Sequence, residues 1–274
     1  MLQTSRLRPR DRTKVLRDST PSTKTGPAPH LKVAKIGIVS RDYNKVRDFS
    51  ETFSDILNLL DKDYSCDTVL FSPWSIDAGK SCRPSVRLRH IKSVLYEEFK
   101  SNGKKRKGKQ FVVFYRRGGK WHRHCLGGRC FGFASLKGLP KGHVEKFVQD
   151  VKQHRILGEC CVLICGESNG VPYHMDKKRV LDDFGLRRSL PRGTVVLNPV
   201  HDWMSRYEMP LKRIFLSKDR WFISVWNRGK RPRDGKGHPW NIYRDKEEEP
   251  VTLIQNHGIE KVEIGIVKIS GHGS

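Results

Sequence analysis

The sequence predicts an α/β domain, and three observations carry that reading. Short runs rich in β-branched residues recur along the chain. Segments with apolar residues at three- and four-residue spacing lie between most of them. The runs are continuously apolar rather than alternating, the pattern of strands covered on both faces.

In order, residues 33–39 are expected to form the first strand. Val46, Phe49, Phe53, Ile56, Leu57 and Leu60 then mark one face of a helix. Residues 67–71 form a second strand, closed by Ser72 and Pro73. Residues 86–99, with Val86, Ile91, Val94, Leu95 and Phe99, are expected to be a second amphipathic helix. Residues 111–115 form a third strand and 127–136 a further strand or hairpin. Residues 143–155 form a helix with Val144, Phe147, Val148 and Val151 on one side. Residues 160–165 make an apolar strand that runs into a glycine-containing turn. A short helix over 179–188, a strand over 194–198 and a helix over 207–219 follow, with Pro210 in the last helix's first turn. Residues 221–226 and 262–267 are the late strands.

At 274 residues the chain suffices for one large domain or two small ones. Its Val-, Ile-, Leu- and Phe-dense segments exclude collagen-like and fully disordered classes. No apolar run approaches the roughly 18 residues of a membrane span, so no membrane-embedded part is expected. Seven cysteines is an odd number and no secretory apolar segment opens the sequence. A reducing, cytoplasmic setting is therefore expected over a disulfide-stapled secreted fold.

The 54 Lys and Arg against 29 Asp and Glu give a net charge of +25, which favours anionic partners. Residues 1–32 carry Arg6, Arg8, Arg10, Arg12, Lys14 and Arg17 and are expected to be a disordered basic arm. Residues 33–270 are then the folded domain. Lys104, Lys105, Arg106, Lys107 and Lys109 form a second block, and Arg228, Lys230, Arg231, Arg233 and Lys236 a third. Both are expected to be loops, either solvated surface or contacts for a polyanion such as nucleic acid. No aromatic platform is interleaved with them, and no helix-turn-helix, zinc-finger or RNA-recognition signature is present.

In α/β folds chemistry collects at the carboxyl ends of strands. Three such ends stand out: Pro73-Trp74, Cys165-Gly166-Glu167, and Asn198 to Asp202. A thiol at a strand-to-turn junction is open to substrate, and the turn's N–H groups suit an oxyanion. The competing role for Cys165 is a small core hydrophobe, the role expected of Cys160 and Cys161. His201 and Asp202 end a strand and line the expected pocket, with a helix-capping role as the alternative for Asp202. His122, His124, Cys125 and Cys130 do not have a common zinc spacing, and no metal is expected.

The segments Lys35 to Val39, Leu163 to Glu167, Val195 to His201, Phe222 to Gly229, His238 to Trp240 and Val262 to Ile269 together resemble the nitrilase-like carbon–nitrogen hydrolase superfamily. The resemblance covers residues 33–269. It implies a four-layer α-β-β-α sandwich, a homodimer or larger assembly, and a small amide or nitrile substrate. It also implies a Glu–Lys–Cys triad, often with a second Glu, and no cofactor. Cys165 matches the nucleophile, Lys137 the lysine and Glu145 the second glutamate, with Lys141 competing for the lysine role. Trp74, Glu167, Asn169 and His201 are expected around the substrate. Where the family's base Glu follows a proline after the second strand, Trp74 follows Pro73. Trp accepts no proton, so the base comes from elsewhere, with Asp77 and Glu145 as candidates, or the chain keeps the fold without hydrolysis and binds an anionic partner.

Overall fold

The computed structural model describes residues 28–102, 105–129, 140–201, 206–229 and 237–270. In chain order it contains β1 (Lys35–Arg41), α1 (Phe53–Lys62), β2 (Thr68–Phe71), β3 (Ile76–Asp77), β4 (Ser93–Asn102), β5 (Lys105–Arg117), β6 (Lys120–Cys125) and α2 (Lys141–Asp150). A π-helical turn (Val151–Arg155) leads to β7 (Ile156–Leu157) and β8 (Cys160–Val162), and a 3₁₀ turn (Cys165–Gly170) follows. Then come β9 (Tyr173–His174), β10 (Arg179–Val180), α3 (Leu186–Ser189), β11 (Val195–Val200), α4 (Glu208–Leu216) and β12 (Trp221–Trp226). The last strands are β13 (Trp240–Arg244), β14 (Glu247–Glu248), β15 (Thr252–Ile254) and β16 (Val262–Lys268).

Among the described residues, one sheet runs β15-β16-β1-β2-β4-β5-β6, with β3 beside β4, and a second runs β14-β13-β12-β11-β8-β7. Each is parallel at its centre, β1-β2-β4 in the first and β8-β11-β12 in the second. Antiparallel strands flank both centres. Ile36, Ile38, Leu70, Leu95 and Val113 of the first sheet share a core with Val162, Val195, Leu197, Ile223 and Val225 of the second. On the outer face of the first sheet, Phe53, Ile56 and Leu60 of α1 pack with Val39, Val69, Phe71 and Val94. On the outer face of the second, Val144, Phe147, Leu186 and Leu216 pack with Cys161, Leu163, Val196 and Phe222. The continuously apolar strands thus serve two cores at once, one through odd and one through even positions. Gly37 lets α1 approach, because a Cβ there would stand 2.7 Å from Leu60 Cδ1.

Several expectations are corrected. Residues 86–99 are not a helix: β4 occupies 93–102, and Val86 is exposed. The segment before β4 is pinned in an open path by the buried carboxylate of Asp61, which accepts the backbone N–H groups of Arg89, His90 and Ile91. With Val94 and Tyr96 in one core and Leu95 in the other, no alternation shows in the sequence. Residues 179–188 are not a helix either. Arg179–Val180 pairs with β9, and Gly185, at φ 75°, opens a single helical turn whose Arg187 and Arg188 N–H groups bond to Asp182. The block from Lys105 to Lys109 lies in β5 rather than in a loop, and the Arg106 guanidinium stacks 4.0 Å from the Tyr43 ring centroid. Lys104 lies outside the described residues, as do residues 230–236 of the third block. Of the strand or hairpin expected over 127–136, residues 127–129 lie in no strand and residues 130–136 lie outside the described residues; β5 and β6 pair as a hairpin just before them.

The expected arm also overlaps the fold. Leu31 is 5% exposed within the inter-sheet core, and its N–H donates to Leu157 O at 3.0 Å. Residues 1–27 lie outside the described residues. Cys66, Cys82, Cys125, Cys160, Cys161 and Cys165 are free thiols. No described helix is long and apolar enough to cross a membrane.

Leu31→Ala is expected to cost about 2–3 kcal/mol, the loss from emptying a core leucine site. Urea unfolding checks this; a change below about 0.5 kcal/mol would place Leu31 outside the cooperative core.

Candidate active site

Cys165 lies just beyond β8 with φ 52°, a left-handed backbone unusual for a residue with a side chain. The elbow is held from below. Asn198 Nδ2, on β11, donates to Leu163 O at 2.6 Å and to Cys165 O at 3.2 Å, and Ser224 Oγ of β12 donates to Asn198 Oδ1 at 3.1 Å. Glu167 reaches back so that Oε2 accepts the Ile164 N–H at 2.7 Å, while Arg155 Nη2 donates to its Oε1 at 3.3 Å. Both Glu167 and Arg155 are buried. Glu167 therefore shapes the turn, and its carboxylate is engaged beneath it.

His201 follows the last residue of β11. Its Nε2 lies 2.7 Å from Glu97 Oε2 and 2.9 Å from Oε1. The same imidazole is near enough to the Cys165 thiol to act on its charge. Glu97 comes from β4 in the other sheet and is 3% exposed. Its Oε2 also accepts the Trp74 N–H at 2.9 Å. The result is a Cys165–His201–Glu97 relay that crosses between the sheets.

Trp74 follows β2 with φ 53°. Its indole lies against His201, ring centroids 4.6 Å apart, and Tyr43 lies 5.4 Å away on the same aromatic stack. Arg41 Nη2 donates to Trp74 O at 2.6 Å and fixes the strained turn. Arg129 Nη1 stands 3.6 Å from Cys165 Sγ.

The electrostatics favour a thiolate–imidazolium pair. Burial alone would push the Cys165 thiol up, but His201 and then Arg129 outweigh it and bring it down to about 7. Burial pushes His201 down, but Glu97 and then Cys165 outweigh it and lift the imidazolium to about 10. Cys160 behaves oppositely: burial without a cation drives its thiol up, and Cys161, where the nearby Arg155 does not offset burial, rises to about 12. Of the three cysteines along this stretch, Cys165 alone is set up to react.

Of the residues expected from sequence, Cys165, His201 and Trp74 are brought together. Asn169 lies behind the elbow, where Oδ1 accepts Lys212 Nζ at 3.0 Å and Arg206 Nη2 at 3.3 Å. Glu145 is exposed on α2, in an open cleft with Val148, Phe184 and Arg188. The carboxylate behind His201 is Glu97, which sequence reasoning passed over inside a supposed helix. Asp77 pairs with Arg47 at 3.1 Å. Lys137 and Asp202 lie outside the described residues, as does Cys130; His122, His124 and Cys125 lie on β6, where His122 stacks on Tyr115. Among the described residues no group of three or more His, Cys, Asp or Glu is gathered as a metal site.

No protein-family model matches the chain, and no curated protein matches it by sequence. Among solved structures it is similar to a carbon–nitrogen hydrolase from Helicobacter pylori G27, at 11% identity and a TM-score of 0.43. The match covers 86% of this chain and 89% of that one.

The pair sets the pH response of the thiol. Alkylation of Cys165 by iodoacetamide is expected to rise through pH about 7 and level off above it, whereas an ordinary thiol follows a midpoint of about 8.5. Glu97→Gln removes the charge that keeps His201 protonated, so the midpoint moves up by about one unit or more. A wild-type midpoint at 8.5, unmoved by Glu97→Gln, would exclude the ion pair.

Proposed function

We propose that the chain is a carbon–nitrogen hydrolase of the nitrilase-like type, acting on a small amide or nitrile through a Cys165 thioester. The observation that carries this reading is the His201 imidazole held between the Glu97 carboxylate and the Cys165 sulfur. The three stacked cores support a four-layer α-β-β-α sandwich. The missing family glutamate has a counterpart in space: Glu97 enters from the neighbouring strand and its carboxylate bonds the N–H of Trp74, the residue standing in the glutamate's place.

The chemistry follows from the residues. With an amide, the Cys165 thiolate attacks the acyl carbon, and negative charge gathers on the former carbonyl oxygen; a nitrile first gives a thioimidate, which one water converts to the same thioester with release of ammonia. Arg129, beside the sulfur, neutralises the charge on the oxygen. The tetrahedral centre collapses, the C–N bond breaks, and the His201 imidazolium gives its proton to the departing nitrogen. The neutral imidazole then takes a proton from water as the water attacks the thioester. The acid leaves, and the thiolate–imidazolium pair is restored. Glu97 keeps the ring oriented and stabilises its charged form, the role of the third group in Cys–His sites. Pairing of two copies belongs to the same proposal.

The second reading, a fold kept without hydrolysis, draws on the Trp74 indole packed against His201, and binding of a polyanion through the basic surface goes with it. Intact-mass analysis after exposure to a panel of small amides and nitriles separates the two. Hydrolysis predicts an acyl adduct or product, no turnover in Cys165→Ala, and a kcat about 10²–10⁴-fold lower in His201→Asn. Unchanged turnover in Cys165→Ala rejects the nucleophile. The absence of both adduct and turnover across the panel favours the non-catalytic reading.

A further inference from the structure

Between Asp77 and Glu145 the sequence holds 18 Lys and Arg and only two acids, Glu97 and Glu98. Both acids are already engaged: Glu97 is buried in the relay, and Glu98 pairs with Arg123 at 2.7 Å. The fold gathers part of the positive charge at one end of the first sheet. Arg87, Arg89 and Lys92 lie on the segment before β4, and Arg117 and Lys120 flank the β5–β6 turn; all five are exposed. None of the five side chains pairs with an acid among the described residues.

Hydrogen bonds clamp the two segments into one surface. The Arg116 guanidinium donates to Leu88 O and, at 3.3 Å, to Val86 O, and its backbone N–H donates to Lys92 O at 2.8 Å. Trp121 Nε1 donates to Ser85 O at 2.9 Å. The acid beneath this segment, Asp61, is 3% exposed and is taken up by the backbone N–H groups of Arg89, His90 and Ile91. It holds the backbone in place and leaves the side-chain cations uncompensated.

Arg117 and Lys120 stand directly opposite one another in the β5–β6 ladder. Like charges so placed are destabilising, and an anion lying across them removes the cost. Two positions along, Tyr115 and His122 are also opposite, and their rings stack with centroids 5.4 Å apart at 26°. Side chains two apart on a strand share a face, so the two cations and the ring stack share one. His122 is exposed and Tyr115 half-buried. Cations for phosphates beside a ring on which a base can stack are the two components of single-strand recognition. A lipid surface would call for a bulky apolar face as well, and Val86 is the one large hydrophobic exposed on this patch.

We infer that this end of the first sheet is a docking surface for a single-stranded nucleic acid, with Arg87, Lys92, Arg117 and Lys120 on its phosphates and the His122–Tyr115 stack against a base. The surface lies at the start of β4, away from the carboxyl strand ends that carry Trp74, Cys165 and His201. The proposal therefore stands whether or not the chain hydrolyses an amide.

Fluorescence anisotropy of the full chain with a labelled oligothymidylate of about 16 nucleotides tests it. Four phosphate contacts predict an affinity loss of about 50-fold between about 50 and 200 mM salt. Arg87→Gln, Lys92→Gln, Arg117→Gln and Lys120→Gln, combined in one chain, are expected to weaken binding about tenfold or more and to flatten the salt dependence. The same loss of charge at the exposed Lys146, Lys152, Lys177 and Lys178 is expected to leave both nearly unchanged. His122→Ala is expected to weaken the single strand about fivefold or more and to leave binding of a duplex unmoved, because duplex bases are already stacked. Cys165→Ala is expected to bind like wild type. No binding at the lower salt, or equal weakening by the two sets of four, overturns the proposal, the latter because net charge alone then explains the attraction. So does a duplex or an anionic vesicle held as tightly as the single strand, which assigns another partner. Loss of binding in Cys165→Ala overturns it too, by moving the strand to the thiol site.

Discussion

The buried carboxylate of Glu97 is the constraint around which the site is organised. A carboxylate taken out of water must find donors or cations, and the shortfall costs several kcal/mol. Glu97 finds two: the backbone N–H of Trp74 from its own sheet and the imidazole of His201 from the other. Meeting the first demand bends the chain after β2 into a left-handed residue. Meeting the second holds the His201 ring by its Nε2. The orientation and charge of the His201 imidazole therefore follow from one buried acid on a strand that carries no other part of the relay.

That acid sits where the two sheets are stitched by polar contacts. Ser40 Oγ donates to Trp226 O at 2.6 Å, Ser72 Oγ to Asn227 Oδ1 at 2.6 Å, and Asn227 Nδ2 to Pro73 O at 2.7 Å. Elsewhere the sheets meet through apolar side chains, which fix distance but tolerate sliding. Directional bonds at the strand ends fix the register between sheets, and a relay that crosses between them needs that register. The same seam holds two of the residues at positive φ. Cys165 and Trp74 each stand at positive φ, a conformation costing about 1–3 kcal/mol for a residue with a side chain. Such strain persists only where surrounding bonds over-determine it, and here Asn198 and Glu167 hold one elbow and Arg41 and Glu97 the other.

Much of this was legible in the sequence. The apolar stripe Phe53, Ile56, Leu57, Leu60 reads as a helix because one face alone is buried. The runs at 195–200 and 221–226 read as strands because both faces are. Cys165 and His201 were found because they end such runs. Glu97 was not, and the reason is physical: a strand buried on two faces has no period of its own, so Val94, Leu95 and Phe99 fit a helical spacing as well as an extended one. Its partner lies 104 residues away in the chain, and nothing local marks that contact. One signal was present, the acidic pair Glu97-Glu98 between Tyr96 and Phe99, since an acid buried in such a run must have a partner.

On the proposed mechanism, the charge balance of the relay lets a deeply buried site turn over. At rest the Cys165 thiolate and Glu97 carry two negative charges, His201 and Arg129 two positive ones. When the thioester forms, the thiolate charge is consumed as its electron pair enters the new bond, and the imidazolium charge leaves with the proton given to the amine. Glu97 and Arg129 still cancel. Water attack then regenerates one charge of each sign. At no resting stage does the relay gain or lose net charge, which matters where the effective dielectric is low and a single uncompensated charge is dear.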